Sequence, residues 1–274
     1  MRIALNHMVA PSLDHAAFFD LVKSLDVGAV EVRNDLDGVA LADGTPAGAV
    51  REAASASGLD ILSINALQRF NQWNEARAGE ARSLAAYAKA CGARALVLCP
   101  VNDATFAPGD ADRLAGLREA LRGLAPILTE AGILGLVEPL GFAECSLRLK
   151  AEAVAAISET KTEGVFKLVH DTFHHFVAGE TAFFPNETGL VHASGVRDST
   201  LTADHMRDPH RILVDASDRI DNIGQIRTLL RGGYDGPLSF EPFAASVHQS
   251  SQIARDLRSS IQFVETELRG AAAA

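Results

Sequence analysis

Eight times along this chain a short apolar run is followed by a longer stretch with helical spacing, and that alternation restricts the fold more than any single motif does. Strand then helix, repeated, is the pattern of parallel strands joined by crossover helices. The predicted strands cover 3–6, 27–33, 59–65, 94–99, 133–138, 165–171, 189–193 and 237–241. Predicted helices fill the gaps: one opening at Pro11-Ser12 and reaching Leu25, then 46–57, 75–91, 110–131, 149–160, a short piece at 175–179, 218–231 and 247–268. Pro126 predicts a kink in the fourth helix, because proline lacks the amide hydrogen a helix interior uses. An open doubly wound sheet would carry a glycine-rich turn after its first strand, and Asn6-His7-Met8-Val9-Ala10 is no such turn. The expected fold is therefore α/β, a single (β/α)8 TIM barrel over residues 1–270, with the alanines of 271–274 as a disordered tail.

A length of 274 residues suits one such barrel, and 47% hydrophobic residues supply its core. The formal charge of −10 works against a nucleic-acid partner, since lysine and arginine provide the attraction to phosphate. Cys91, Cys99 and Cys145 are odd in number and lack Cys-x-x-Cys spacing, so neither a disulfide frame nor a thiolate zinc site is expected. No leader-like segment precedes the first strand, and no apolar run approaches the roughly 20 residues that span a bilayer. A soluble, cytoplasmic protein without a membrane partner is the expectation; a homo-oligomer is left open.

Barrels of this type build their sites at the C-terminal ends of the strands. Strand five ends in Glu138-Pro139 and strand eight in Glu241-Pro242. A residue before proline is pushed to extended geometry, so each glutamate is expected as the last residue of its strand, although Glu-Pro alone also reads as a turn. Strand six ends in His170-Asp171 with His174 three residues on, and strand seven carries His192. Glu138, Asp171, His192 and Glu241 converging on one mouth would repel unless a cation sits among them. Oxygen donors with one nitrogen suit a single divalent ion, Mn, Mg, Zn or Co. Taken singly, Asp171 also reads as a helix N-cap, His192 as a core histidine, and His170 and His175 as structural residues. Arg33 and Asn65 close strands two and three as candidate substrate contacts, and Phe70, Trp73, Phe106 and Phe243 follow strand ends as a candidate apolar wall.

These stretches carry a resemblance. Leu136-Val-Glu138-Pro139, Val169-His-Asp171-Thr-Phe-His174, Leu190-Val-His192-Ala-Ser-Gly-Val-Arg197-Asp198, His210-Arg211 and Ser239-Phe-Glu241-Pro242 resemble the xylose-isomerase-like barrel superfamily of sugar isomerases and epimerases, over essentially the whole chain. Within it the chain is most similar to the inosose (2-keto-myo-inositol) isomerase branch of inositol catabolism. The resemblance implies that Glu138, Asp171, His192 and Glu241 bind one divalent metal and that Glu138 and Glu241 shuttle a proton. It further implies that His174 and an arginine, Arg211 or its competitor Arg197, hold substrate oxygens of a small polyol or sugar. One departure is visible: Ile212-Leu-Val-Asp215 stands where relatives carry a Pro-Gly-x-Gly turn. Two other readings remain, a barrel-type apurinic endonuclease-like hydrolase and a non-catalytic metal- or polyol-binding barrel. The first resembles a three-zinc enzyme, and Arg33 and Asn65 stand where further metal ligands would be needed.

Overall fold

Strands packed on both faces read as nearly continuous apolar runs, and Ala95-Leu-Val-Leu98 and Leu134-Gly-Leu-Val137 are of this kind. In the computed structural model, which describes residues 1–36 and 41–270, they are two of eight parallel strands closed into a barrel in chain order. The strands are β1 (Arg2–Asn6), β2 (Ala29–Arg33), β3 (Asp60–Leu67), β4 (Ala95–Leu98), β5 (Leu134–Val137), β6 (Phe166–Asp171), β7 (Thr188–Ala193) and β8 (Pro237–Phe240). Around them run α1 (His15–Ser24), α2 (Ala47–Ser57), α3 (Glu75–Cys91), α4 (Asp110–Ala131), α5 (Lys150–Thr160), α6 (Thr172–Ala178), α7 (Asn222–Arg231), α8 (Ala245–His248) and α9 (Ile253–Gly270). The tail expected at 271–274 lies outside the described residues. No described helix is long and apolar enough to cross a membrane.

Helix starts and stops follow local chemistry. Asp14 and Asn74 cap α1 and α3 by accepting the amides of Ala17 (2.8 Å) and Arg77 (2.9 Å). Gly132 ends α4 at φ 74°, in the left-handed region that costs glycine nothing. Helix α4 runs through Pro126 over the expected 110–131, and Pro126 and Arg122 lie on its exposed side, so the unpaired carbonyl is left to solvent. Two expectations need correction. Helix α6 starts at Thr172 rather than 175, since the Asp171 carboxylate accepts the His174 amide at 2.9 Å and caps the helix there. The single closing helix is two, α8 and α9, separated by a polar turn in which Ser250 Oγ accepts from the Gln252 amide and donates to Asp256.

Strand period sorts the side chains. Outward residues such as Leu5, Val30, Ile64, Leu96, Val137, Val191 and Phe240 join the large core between barrel and helices. Inward residues start small and apolar at the base, with Ala4, Ala29, Ala95, Leu136, Val169 and Leu190 in one inner cluster. Two residues further along β1, β2, β5, β6 and β7 the inward position becomes polar, at Asn6, Glu31, Glu138, Asp171 and His192, all buried, while β4 stays apolar at Val97. The apolar base is a packed plug; the polar layer above it forms the mouth.

Candidate metal centre at the barrel mouth

Glu138 and Glu241 follow the last assigned residues of β5 and β8, and their amides still pair with the neighbouring strands, Glu138 with Leu98 O at 3.1 Å and Glu241 with Ala193 O at 3.0 Å. Each proline thus stops its strand one residue after the carboxylate has been aimed inward. Asp171 ends β6, and His192 lies one position before the end of β7. One ligand-type atom from each of Glu138, Asp171, His192 and Glu241 lies within 4.8 Å of all the others, and all four residues are buried. That span is close to twice the ligand distance of about 2.1 Å that zinc or magnesium takes.

The donor set suits a divalent cation on grounds of charge as well. His192 Nδ1 lies 2.8 Å from Glu138, 3.3 Å from Glu241 and 4.0 Å from Asp171. Its Nε2 points the other way, 3.0 Å from Glu31, a carboxylate with no solvent exposure. Burial opposes a charged imidazole, but Glu241, Glu31 and Glu138 outweigh it and hold His192 well above its ordinary pKa. Burial would likewise raise Glu241, yet His192 and then Arg211 and Arg33 hold it below the usual carboxylate range. A proton on His192 is thus the balance that the protein alone supplies, and a metal ion at Nδ1 would replace it. With a cation there, Nε2–H would donate to Glu31, the arrangement by which an outer carboxylate orients a metal-binding histidine.

Glu31 is the functional residue that the strand-end reading passes over. Its signal is present in Ala29-Val-Glu-Val-Arg33, where an acid two residues before Arg33 must share its face. Ser63 and Asn65 donate to its Oε2 at 2.6 and 3.3 Å, so Asn65 reaches the centre through Glu31.

Both candidate arginines differ in placement. Arg211 is 1% exposed, and its Nη2 donates to Asp171 at 2.6 Å and to Glu241 at 2.9 Å. An antiparallel bridge of Ile212 to Gly195 sets it beside β7, in the segment where the Pro-Gly-x-Gly turn is missing. Arg197 corrects the expectation of a mouth contact: its side chain is 64% exposed and pairs with Asp215 and Ser217 on the outer surface. Arg33 is buried, donating to Glu241 at 2.8 Å and to Asp35 through two bonds of 2.7 Å. His174 Nδ1 accepts the Gly141 amide at 3.3 Å, which puts the hydrogen of a neutral ring on Nε2. A Cβ at Gly141 would come within 2.3 Å of His174 O, so only glycine permits this approach of the β5 loop to α6.

A cavity of about 350 Å³ opens over these groups, lined by Arg33, Asn65, Glu138, His174, Arg211 and Glu241 together with Asp35, Gln68, Cys99, Asn102, Asp208 and the apolar Leu140, Phe142 and Phe243. The expected aromatic wall is therefore corrected. Phe243 is in place, 4.5 Å from the Arg211 guanidinium, and Phe142, not expected in this wall, also lines the cavity. Phe70 is fully buried in the outer core, and Trp73 packs against α4 at Gly123. Phe106 lines a separate groove of about 720 Å³ between the loops after β4 and β5, which contains none of the four converging side chains. Burial and then Glu138 push the Cys99 thiol up, so it stays protonated and donates to Glu138 at 3.6 Å.

Comparison with known proteins agrees with this architecture. The sequence model of the xylose isomerase-like TIM barrel family matches residues 19–266. No curated protein matches the sequence. Among solved structures, a xylose isomerase domain containing protein from Salmonella typhimurium LT2 is similar at 35% identity and TM-score 0.89, over 96% of this chain and 97% of that one. The IolI protein with a bound zinc atom shares the fold at 15% identity and TM-score 0.85, over 98% and 99% of the two chains. So does D-psicose 3-epimerase from Clostridium cellulolyticum H10, solved with D-tagatose, at 15% identity and TM-score 0.75, over 98% and 99%. On the matched span and the 35% identical relative together, this chain belongs to the xylose isomerase-like TIM barrel family.

Proposed function

We propose that the protein is a metal-dependent isomerase or epimerase of a keto-polyol or ketose, with 2-keto-myo-inositol as the leading substrate. The observation that carries this reading is the buried convergence of Glu138, Asp171, His192 and Glu241 within 4.8 Å, at the floor of a cavity lined mostly by hydrogen-bonding groups. The substrate choice rests on the stretches that resemble inosose isomerases and on the fold shared with IolI.

All four residues would hold the ion. When bound, a divalent ion supplies Lewis-acid stabilisation for negative charge developing on a carbonyl oxygen. Glu138 and Glu241 enter the cavity from β5 and β8 and flank the space between them. One removes the proton from the hydroxyl-bearing carbon beside the ketone to leave an enediolate of the substrate. For isomerisation the hydroxyl proton moves to the former carbonyl oxygen and a carboxyl delivers a proton to the former carbonyl carbon; for epimerisation a carboxyl delivers a proton to the opposite face of the carbon that lost it. Arg211 and His174 Nε2 donate to substrate oxygens and fix which carbon faces the acids. Phe142, Phe243 and Leu140 exclude water around the reacting carbons, which strengthens each charge interaction within.

Incubation with 2-keto-myo-inositol in D₂O, followed by NMR, tests the reading. Metal-dependent deuterium incorporation, abolished by a chelator and in Glu138→Gln and Glu241→Gln, is the expected outcome. A protein that binds metal yet exchanges no ketose or inosose hydrogen would refute it.

A further inference from the structure

We infer that Asp35 and Asp208 are specificity-determining residues that set the mouth against anionic substrates, so that the site takes an uncharged polyhydroxy ketone in preference to its phosphate ester; this rests on the isomerase reading above. The cavity is lined by only two cations among the described residues, Arg33 and Arg211, and the segment 37–40 contains no lysine or arginine. Each guanidinium uses four of its five N–H groups on protein partners, which leaves one N–H apiece and no free pair. Arg33 gives Nε and Nη2 to Asp35 at 2.7 Å each, and Nη1 to Glu241 at 2.8 Å and Asn6 at 3.3 Å. Arg211 gives Nε to Ser194, Nη2 to Asp171 and Glu241, and Nη1 to Asp208 at 3.3 Å. Phosphate recognition by arginine uses a free pair of parallel N–H groups, and neither fork is free.

The sum of charges points the same way. Asp35, Glu138, Asp171, Asp208 and Glu241 contribute five negative charges and Arg33 and Arg211 two positive ones. A divalent ion adds two more positive charges, so 2 + 2 − 5 leaves −1 with His192 neutral as a ligand. Glu31 adds another negative charge behind His192. A phosphate ester carries roughly −1.5 to −2 at neutral pH and would enter a cavity already negative. Asp35 and Asp208 alone among the five acids stand outside the candidate ligand set, with side chains 35% and 43% exposed. Their role is to occupy the outward sides of the two guanidinium groups. Gln68 and Asn102 in the lining offer neutral partners of the kind hydroxyl groups need.

The test uses the full chain loaded with Mn²⁺, titrated calorimetrically with myo-inositol and with myo-inositol 1-phosphate. Deuterium exchange is followed in parallel on D-fructose and D-fructose 6-phosphate. Wild type is expected to favour each neutral compound at least about 100-fold over its phosphate. Asp35→Asn and Asp208→Asn, each freeing one guanidinium edge, are expected to narrow that ratio about tenfold or more, with thermal melts confirming that both variants fold. Asp35→Glu, which keeps the charge, is expected to retain the wild-type ratio. Equal or tighter binding of the phosphate by wild type overturns the inference, as does binding of neither inositol, or a ratio unmoved in both asparagine variants. Exchange on no ketose, with the neutral inositol still preferred, removes the isomerase reading and leaves the charge filter standing.

Discussion

Strand β6 separates two buried clusters of titratable side chains that grow from adjacent residues. Outside the barrel, His170 contacts Gln225 at 3.0 Å, while Lys150 Nζ lies 2.6 Å from both His175 Nδ1 and Glu180. Glu180 also accepts the amides of Lys150 and Ala151, capping α5, which has no cap of its own at Leu149. Inside the barrel, one residue further along, Asp171 joins Glu138, His192 and Glu241. The outer cluster holds one ammonium, one carboxylate and two neutral imidazoles, so it is balanced without help. Its inner counterpart holds more acid than Arg33 and Arg211 can offset, and the imbalance faces a cavity. A balanced buried cluster serves packing; an unbalanced one at the open end of a barrel is poised for a cation.

The sharpest way to break this contrast is to remove inner acids. Glu138→Gln or Glu241→Gln is expected to lower kcat/KM at least 10³-fold, about 4 kcal/mol or more of transition-state stabilisation, in steady-state assays. In thermal melts a divalent ion at 100 times its Kd should stabilise wild type by about 2.7 kcal/mol and these variants far less. Removing the outer cation should do the opposite. Lys150→Met leaves Glu180 buried without its cation and is expected to cost about 4 kcal/mol in urea denaturation. Its kcat/KM should stay within about twofold; a large loss of activity at unchanged stability would erase the distinction between the two clusters.

Acid tests the outer cluster again. Burial and then the Lys150 charge lower His175 to about 4. Between about 4 and its unfolded value near 6.5 the folded histidine binds fewer protons than the unfolded one, so stability falls as pH falls through that window. The fall should approach about 3 kcal/mol in denaturant midpoints compared across pH, and His175→Leu should flatten it. Glu31→Gln links the apolar base to the mouth and is expected to weaken metal binding about 10- to 100-fold by calorimetry. The smallest effect belongs to Arg197→Ala, whose surface pair should change stability by no more than about 0.5 kcal/mol and leave turnover unaltered.

Some of the centre is legible because it follows local rules. Proline after Glu138 and Glu241 forces extended backbone, and period two then turns each carboxylate to the face of Leu136 and Ser239, two residues earlier. Asp171 shows how two readings of one residue coexist: one oxygen caps α6 through the His174 amide, and the other accepts from Arg211. The aromatic wall is not legible in the same way. Phe70, Trp73, Phe106 and Phe243 all follow strand ends, and only the course of each loop separates core packing from cavity lining. Arg197 and Arg211 belong to one long connection after β7, and nothing in their neighbours' chemistry says which turns inward.

By itself, then, the sequence determined the repeated strand–helix units, the inward aim of four ligand-type side chains and the acidic excess that makes a cation fitting. These follow from backbone sterics, side-chain alternation and charge, all acting within a few residues. Tertiary structure alone decided that Glu31 backs His192, that Arg211 and not Arg197 reaches Asp171 and Glu241, and that Asp35 and Asp208 engage the two arginines. The first two join residues far apart in the chain, Glu31 to His192 across 161 positions and Arg211 to Asp171 across 40, and such meetings are set by the geometry of the closed sheet and its loops rather than by any local preference of the chain.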